Sequence, residues 1–184
     1  PPGLSMITLS AKAWTAYEAA KLPKFYFDLG QWKKFLEKWS TPVTPAVSLI
    51  YGLQESLKML REEGLPAIFK RHETLALATR AGVRALKAQC LSDDDVASHS
   101  LTPVIPPAGV DAEVVRKRMR DEFGFTLAGG QEELKGKIFR IGHLGYVDAV
   151  EILGAVGALG RIFRSLGVDL NEEAGVKAAE EVLA

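Results

Sequence analysis

Cysteine is nearly absent from this chain of 184 residues, in which Cys90 is the only one. A single thiol forms neither an internal disulfide nor an iron–sulfur centre, which needs several thiolate ligands. The 23 basic and 23 acidic side chains cancel, so the chain lacks the basic excess that binds nucleic acid or anionic lipid. We therefore expect a soluble, cytoplasmic protein with no metal, nucleic-acid partner or membrane attachment, while an organellar location stays open.

Long apolar runs and several familiar catalytic motifs are also missing. In the C-terminal half the apolar run over residues 152–160 is far shorter than the ~18 apolar residues that span a bilayer. There is no GxSxG elbow, Walker A loop or GxGxxG fingerprint. The three histidines, His72, His99 and His143, are not spaced as zinc ligands. The 47% of hydrophobic residues nevertheless suffices for a folded core.

Residues 4–9 form a short apolar run after Pro1-Pro2-Gly3, which predicts a strand buried on both faces. The other strand candidates lie far along the chain, beyond a series of helical patterns. We therefore expect this strand to be the last one of a sheet whose other strands precede Pro1, and the chain to be the C-terminal piece of a larger protein. The alternative is one mixed sheet shared with the later strands.

Helical and strand patterns organise the rest of the chain. Helices are predicted over residues 10–21, 31–39, 45–62, 67–89, 112–122 and 146–166, and from residue 171 onward. Strands are predicted over residues 101–105, 124–127 and 137–141. Ser10, Thr44 and Asp111 are expected to cap the helices that follow them. The order of elements after residue 95 predicts a small α+β domain with an antiparallel sheet.

Arg140 is the strongest candidate for chemistry, because it lies where a strand passes into a glycine-punctuated turn. A guanidinium at a strand end can bind a carboxylate through two parallel hydrogen bonds, and Gly142 and Gly145 would let the backbone approach a ligand. On spacing alone, a surface or paired arginine is the alternative. His143, beside it, could line the same pocket or merely pack.

Thr44 is a second candidate, because helix N-termini attract anions and its hydroxyl would add a donor for a phosphate. A plain N-cap is the alternative. Cys90 and His72 are expected to be structural, and Gly129-Gly130 to be a flexible turn. The three arginines of the helix over residues 112–122 are expected on a solvated face: Arg116, Arg118 and Arg120.

Four motifs occur in a fixed order: PPGLS at 1–5, FYFD at 25–28, TPAVSLIYGL at 44–53, and GG at 129–130 followed by KGKIFRIGHLG at 135–145. Together they resemble the C-terminal half of class V pyridoxal-phosphate-dependent aminotransferases. Within that family they are most similar to alanine–glyoxylate and serine–glyoxylate aminotransferases, a group that includes cyanobacterial relatives called soluble hydrogenase small subunits. The resemblance covers nearly the whole chain.

The resemblance implies an α/β enzyme of fold type I that binds pyridoxal 5′-phosphate as a homodimer, with active sites at the interface. Residues 1–45 would be the tail of the large domain and the linking segment. Residues 46–184 would be a long connecting helix and the α+β small domain with its short antiparallel sheet. The lysine that forms a Schiff base with the cofactor would lie just before Pro1, so this chain would be inactive without the N-terminal half.

The resemblance also assigns roles to single residues. Arg140 would bind the substrate α-carboxylate, with His143 as a further substrate-binding candidate. Thr44 would bind the cofactor phosphate of the partner subunit, with Thr41 as a second candidate. The implied reaction moves an amino group from serine or alanine to glyoxylate or a similar 2-oxo acid.

Two other functions compete with this one. A non-catalytic subunit or interaction module, such as the so-called soluble hydrogenase subunit, is the main alternative, although hydrogenase metal centres need more thiolates than Cys90 supplies. A cysteine desulfurase is disfavoured, because Cys90 lies beside an acidic loop that does not match a persulfide-carrying one.

Overall fold

The computed structural model describes residues 3–184, so Pro1 and Pro2 of the first motif lie outside the described residues. The chain divides into two compact units. Unit 1 ends at Glu63 and unit 2 is Gly64–Ala184. The domain boundary expected from the resemblance, between residues 45 and 46, stays a prediction.

Unit 1 contains three helices: α1 (Ala11–Ala19), α2 (Leu29–Leu36) and α3 (Val47–Glu63). The predicted cap of α1 is confirmed, because Ser10 Oγ accepts a hydrogen bond from the backbone N–H of Ala13 at 3.2 Å. Asp28 caps α2 in the same way through the N–H of Gly30. None of residues 3–63 is fully buried, so local capping rather than an apolar core shapes this unit.

One prediction for unit 1 is wrong and another stays open. Residues 4–9 belong to no strand within residues 3–184. The strand predicted there was expected to pair with strands that precede Pro1, so it stays a prediction. The first helical turn of α3 begins at Val47, and the carbonyl of Ala46 accepts the hydrogen bond from Ile50 N–H. Thr44 therefore precedes the helix and does not cap it.

Unit 2 contains a four-stranded antiparallel sheet in the order β1-β2-β4-β3. Its strands are β1 (Gln89–Cys90), β2 (Leu101–Ile105), β3 (Ala128–Gly129) and β4 (Phe139–Gly142). The predicted antiparallel sheet and the strands near 101–105 and 137–141 are confirmed. The strand predicted over 124–127 is wrong, because pairing of Gly129 with Phe139 places β3 immediately after it. Gln89, expected in a helix, instead pairs with Ile105.

Four helices complete unit 2: α4 (Leu65–Ala85), α5 (Ala112–Phe123), α6 (Ala149–Ser165) and α7 (Ala174–Leu183). The predicted cap of α5 is confirmed, since Asp111 accepts hydrogen bonds from the N–H groups of Glu113 and Val114. Asp148 and Glu151 form a capping box that begins α6. α4 packs against α6, α7 and the sheet, while α5 packs against α6 and the strands β3 and β4.

Alternation along the two central strands separates a core face from an outer face. Val104 and Phe139 face each other in the register and are fully buried, as are Phe163 and Leu159 on α6. Arg140 follows Phe139 and therefore projects from the opposite, outer face of the sheet. No helix within residues 3–184 is long and apolar enough to cross a membrane.

Candidate functional site

Arg140 lies on the outer face of the sheet, where its neighbours on the adjacent strands are Pro103 and Ala128. Neither neighbour has a side-chain acceptor that could pair with the guanidinium, and Arg140 is partly exposed. Its Nε donates a hydrogen bond to the carbonyl oxygen of Gly129 at 2.9 Å. Its two Nη groups have no partner within residues 3–184, so they are free to donate to a carboxylate in the bidentate geometry that arginine favours.

A groove with a volume of about 450 Å³ extends from Arg140. Its lining contains three cationic side chains, one carboxylate, one amide and three glycines. The lining residues are Glu113, Arg116, Gly129, Gly130, Gln131, Lys135, Gly136 and Arg140. The excess of cationic over anionic groups makes this groove a candidate site for an anionic small molecule.

The glycine pair shapes the groove rather than serving as a flexible turn. A Cβ on Gly129 would lie 2.8 Å from Nη1 of Arg116, and a Cβ on Gly130 would collide with the carbonyl oxygen of Leu134. The N–H of Gly130 donates to the carbonyl of Ile138 at 3.2 Å, which ties the loop back to the strand. At Gly130 only glycine permits the close approach, because the contact is with backbone, whereas at Gly129 the end of the Arg116 side chain would have to shift.

Arg116 belongs to the groove, contrary to the prediction that it lies on a solvated face. Its Nε donates to the carbonyl of Leu127 at 3.0 Å, and its Nη1 donates to Glu113 at 2.5 Å. Arg120 does remain exposed, whereas Arg118 is partly buried, pairs with Glu122 and donates to the hydroxyl of Ser165 on α6. Helical periodicity distinguishes the faces of α5 but does not reveal that the chain after the helix returns beside Arg116.

His143 lies in the interior and not in the groove. It has no exposed surface, its Nδ1 donates to the carbonyl of His99, and its Nε2 accepts from the hydroxyl of Thr102, each at 2.9 Å. Burial lowers the pKa of the ring to about 4, so the ring is neutral in the folded protein near neutral pH. The ring of His143 therefore packs in the interior and does not line the groove.

The loop that follows Arg140 is anchored to α4. Nε2 of His72 accepts a hydrogen bond from the N–H of Gly145 at 2.9 Å, while Nδ1 of the same ring lies 2.7 Å from the carbonyl of Ile68. Arg71 donates to the carbonyls of Gly145 and Val147. These contacts confirm that His72 is structural and hold the end of β4 in place.

Thr44 and Thr41 lie in unit 1 and differ in how free their hydroxyl groups are. Thr44 is exposed, and its hydroxyl has no hydrogen-bond partner within residues 3–184. Thr41 donates to the carbonyl of Val43 at 2.6 Å, so its proton is already used. A free hydroxyl is a suitable donor for a phosphate oxygen, which makes Thr44 a better fit to a phosphorylated cofactor than Thr41.

Cys90 behaves as the structural residue that was expected. It lies on β1 and is partly buried, and burial raises the pKa of its thiol above the ordinary value. The guanidinium of Arg84 opposes this shift but is the smaller influence. A raised pKa disfavours the thiolate, which is the nucleophilic form.

Known proteins that are similar to this chain include both groups that the motifs resemble, aminotransferases and so-called soluble hydrogenase subunits. No model of a known protein family matches the chain. A soluble hydrogenase small subunit from Synechococcus sp. (strain PCC 6716) is 49% identical over 184 residues, which is 100% of this chain and 48% of that protein. A serine–glyoxylate aminotransferase from Arabidopsis thaliana is 34% identical over 185 residues, covering 100% of this chain and 46% of that protein.

Solved structures agree with the sequence relatives. The pyridoxamine–pyruvate aminotransferase from Mesorhizobium loti superposes with a TM-score of 0.84 at 33% identity, covering 95% of this chain and 46% of that one. The chain thus spans about half the length of the curated relatives it matches. By sequence and by fold, this chain is similar over nearly its whole length to about half of a class V pyridoxal-phosphate-dependent aminotransferase.

Proposed function

We propose that this chain forms part of an aminotransferase that moves an amino group from serine or alanine to glyoxylate or a similar 2-oxo acid. The observation that supports it most directly is Arg140, whose two Nη groups are free at the edge of a cationic groove. The relatives named serine–glyoxylate aminotransferase support the choice of donor and acceptor.

Arg140 binds and orients the α-carboxylate that every amino acid and 2-oxo acid substrate carries. The hydrogen bond from Nε to Gly129 fixes the plane of the guanidinium, and the two Nη groups then donate to a carboxylate that approaches in that plane. Holding the carboxylate in one orientation also fixes the Cα–H bond and the amino group relative to the rest of the site. Pyridoxal phosphate, when bound, supplies the electron sink that makes this Cα–H bond acidic.

Thr44 donates its hydroxyl proton to the phosphate of the cofactor held by the partner subunit of a homodimer. Thr41 is the second candidate, although its donation to Val43 must first break. None of the lysines in this chain takes the place of the lysine that holds the cofactor in this family. We therefore expect residues 1–184 to be inactive without the N-terminal half of the protein.

The surface of unit 1 supports such partners. Phe25 and Phe27 are each 87% exposed and Trp39 is 95% exposed, and all three lie within the part of the chain that has no buried residue. Large aromatic side chains in water favour association with another surface. The N-terminal half and the second subunit are the partners that would cover them.

The decisive test is Arg140→Gln in the complete protein. Loss of the charged bidentate contact should lower kcat/KM for the amino donor about 100-fold, mainly through KM. The matched control is Arg118→Gln, which removes a partly exposed arginine that does not line the groove and should leave kcat/KM unchanged. An unchanged kcat/KM in Arg140→Gln would refute the role of this residue.

A non-catalytic subunit is the second candidate, because the relatives called soluble hydrogenase subunits are also similar over the full chain. The complete protein distinguishes the two functions by its absorbance spectrum and its turnover. Retained pyridoxal phosphate with amino transfer supports the aminotransferase. A stable protein that retains no cofactor and transfers no amino group supports the subunit.

A further inference from the structure

The turn over residues 143–147, which joins β4 to α6, begins three residues after Arg140. The pairing of β2 with β4 ends at Gly142, so the strand hydrogen bonds do not extend into this turn. Its first anchor is His143, whose ring is buried and hydrogen-bonded on both sides. Its second anchor is the ring of His72 on α4. The position of the turn therefore depends on side chains, and two of them are histidines.

The hydrogen-bond partners of the buried His72 ring determine where its proton lies. The carbonyl of Ile68, 2.7 Å from Nδ1, can only accept, so Nδ1 carries the proton. The backbone N–H of Gly145, 2.9 Å from Nε2, can only donate, so Nε2 carries none. Both bonds exist together only when the ring is neutral. A protonated ring would turn an N–H toward the N–H of Gly145 and lose that hydrogen bond.

The charged groups around His72 offer no compensation for a positive ring. Arg71, its neighbour on α4, donates to two carbonyls of the turn. The nearest carboxylates in the sequence are occupied, because Glu73 pairs with Lys70 and Asp148 caps α6. No carboxylate within residues 3–184 is hydrogen-bonded or ion-paired to His72. The other titratable groups on the elements that meet here are His143 in the turn, His99 before β2 and Arg80 on α4.

Protonation of His72 is therefore coupled to release of the turn. The attached turn requires the neutral ring, whereas the ring that faces a released turn is able to bind a proton. Acid consequently favours the released form, which binds more protons. Because an imidazole in water titrates near pH 6.5, each pH unit below about 6.5 should favour release about 10-fold.

Arg140 depends on this turn because β4 is short. The strand has only four residues, Phe139–Gly142, and its last residue leads directly into the turn. A strand end whose continuation is released frays, because fewer contacts hold it. The hydrogen bond from Nε of Arg140 to Gly129 requires β4 to stay paired with β3. Release of the turn should thus disturb the orientation of the guanidinium and weaken the binding of a carboxylate.

We infer that His72 is a proton-sensitive positioning residue for Arg140: its neutral ring holds Gly145 and the turn after β4, and its protonation in acid releases them. The inference rests on the proposed function, since it describes a regulation of the carboxylate-binding site. It gives His72 an influence on substrate binding without any contact between His72 and the substrate.

Hydrogen exchange of the Gly145 amide tests the release without any turnover. The complete protein is compared at about pH 7.5 and about pH 5.5 by mass spectrometry, with rates corrected for intrinsic exchange. Protection of this amide should fall about 10-fold at the lower pH. In His72→Gln the side-chain oxygen can accept from Gly145 at either pH, so protection should stay constant. The control His99→Gln removes an exposed ring nearby and should retain the fall.

The kinetics of the complete protein test the effect on Arg140. His72→Leu removes the acceptor for Gly145 and should raise KM for the amino donor about 10-fold, while kcat changes by less than about twofold. His72→Gln should restore KM and remove its rise in acid relative to the unchanged protein. If His72→Leu does not fold, the comparison of His72→Gln with His99→Gln still decides.

Two results would overturn the inference. One is a fall in Gly145 protection that persists in His72→Gln, and the other is an unchanged KM in a His72→Leu protein whose Gly145 amide has lost its protection. The proposed function fails separately. A protein that releases the turn through His72 but transfers no amino group loses the proposed function, whereas one that transfers amino groups with constant Gly145 protection loses only the inference.

Discussion

Unit 2 buries some of its aromatic residues in a core, whereas no residue within 3–63 of unit 1 is fully buried. Phe139 and Phe163 of unit 2 have no exposed surface, whereas Phe25 and Phe27 of unit 1 are each 87% exposed. Both units nevertheless form capped helices, because a cap such as Ser10 needs only residues that are adjacent in sequence. Local signals are therefore enough to begin a helix, while a core needs segments that return to one another.

The two units also give Arg140 and Thr44 different surroundings. Arg140 and its groove stand on a sheet whose other face is packed against helices, so their geometry rests on a core within unit 2. Thr44 lies among exposed residues and has no comparable support in unit 1. We therefore expect the groove to be ordered in the isolated chain and the contact of Thr44 to depend on the partners proposed above.

Truncating one phenylalanine in each unit gives the largest contrast. Phe163→Ala should lower the free energy of unfolding by about 3–5 kcal/mol, because it leaves a cavity in the core of unit 2. Phe27→Ala, the matched change in unit 1, should stay within about 0.5 kcal/mol in the same chain, since water already surrounds this ring. Urea denaturation followed by circular dichroism measures both.

Equal losses in the two variants would contradict the contrast. A large loss in Phe27→Ala would mean that unit 1 has a core of its own in solution. In the complete protein, by comparison, Phe27→Ala should become costly if a partner covers this ring.

Acid should weaken unit 2 through His143. Its pKa is about 4 in the folded protein and near the ordinary 6.5 when unfolded, so the unfolded state binds more protons between these values. The free energy of unfolding should fall as pH drops from about 6.5 toward 4, by up to about 3 kcal/mol. Denaturation at several pH values measures this slope.

His143→Asn is the variant that isolates this effect. It removes the titrating ring, so its unfolding free energy should be lower at neutral pH but much flatter between pH 6.5 and 4.5. Unit 1 contains no histidine and has no corresponding group in this pH range. A slope that persists in the variant would assign the acid sensitivity to other groups.

The smallest effect is expected for the polar contact of Tyr17 with Asp28 in unit 1. The phenol donates to the carboxylate at 2.5 Å and holds the pKa of Asp28 below its ordinary value. Tyr17→Phe should raise that pKa toward the ordinary value without a measurable change in the unfolding of unit 2. An NMR titration of the Asp28 carboxyl group measures the shift.

Tyr26→Phe is the control, because the Tyr26 phenol has no hydrogen bond within residues 3–184. A pKa of Asp28 that is already ordinary in the unchanged protein would show that this contact is not maintained in water.

Helix starts and the central strands could be predicted from the sequence because their signals are local. Ser10 and Asp111 cap the predicted helices, and β2 and β4 lie where alternating apolar residues place them. The strand over residues 4–9 stays a prediction, because its expected pairing partners precede Pro1. Thr44 misled the prediction of a cap, since two prolines near a helix do not determine which residue begins the first turn.

The sequence by itself determined the resemblance to a family, the choice of Arg140 as a candidate site residue, and the alternation that points Arg140 away from the core. These features follow from ordered motifs and from the two-residue repeat of a strand. Only the tertiary structure decided that Arg116 shares the groove and that His143 does not. Both outcomes depend on contacts between residues that are distant in the chain, such as Arg116 with Leu127 and His143 with Thr102, and no local pattern encodes such contacts.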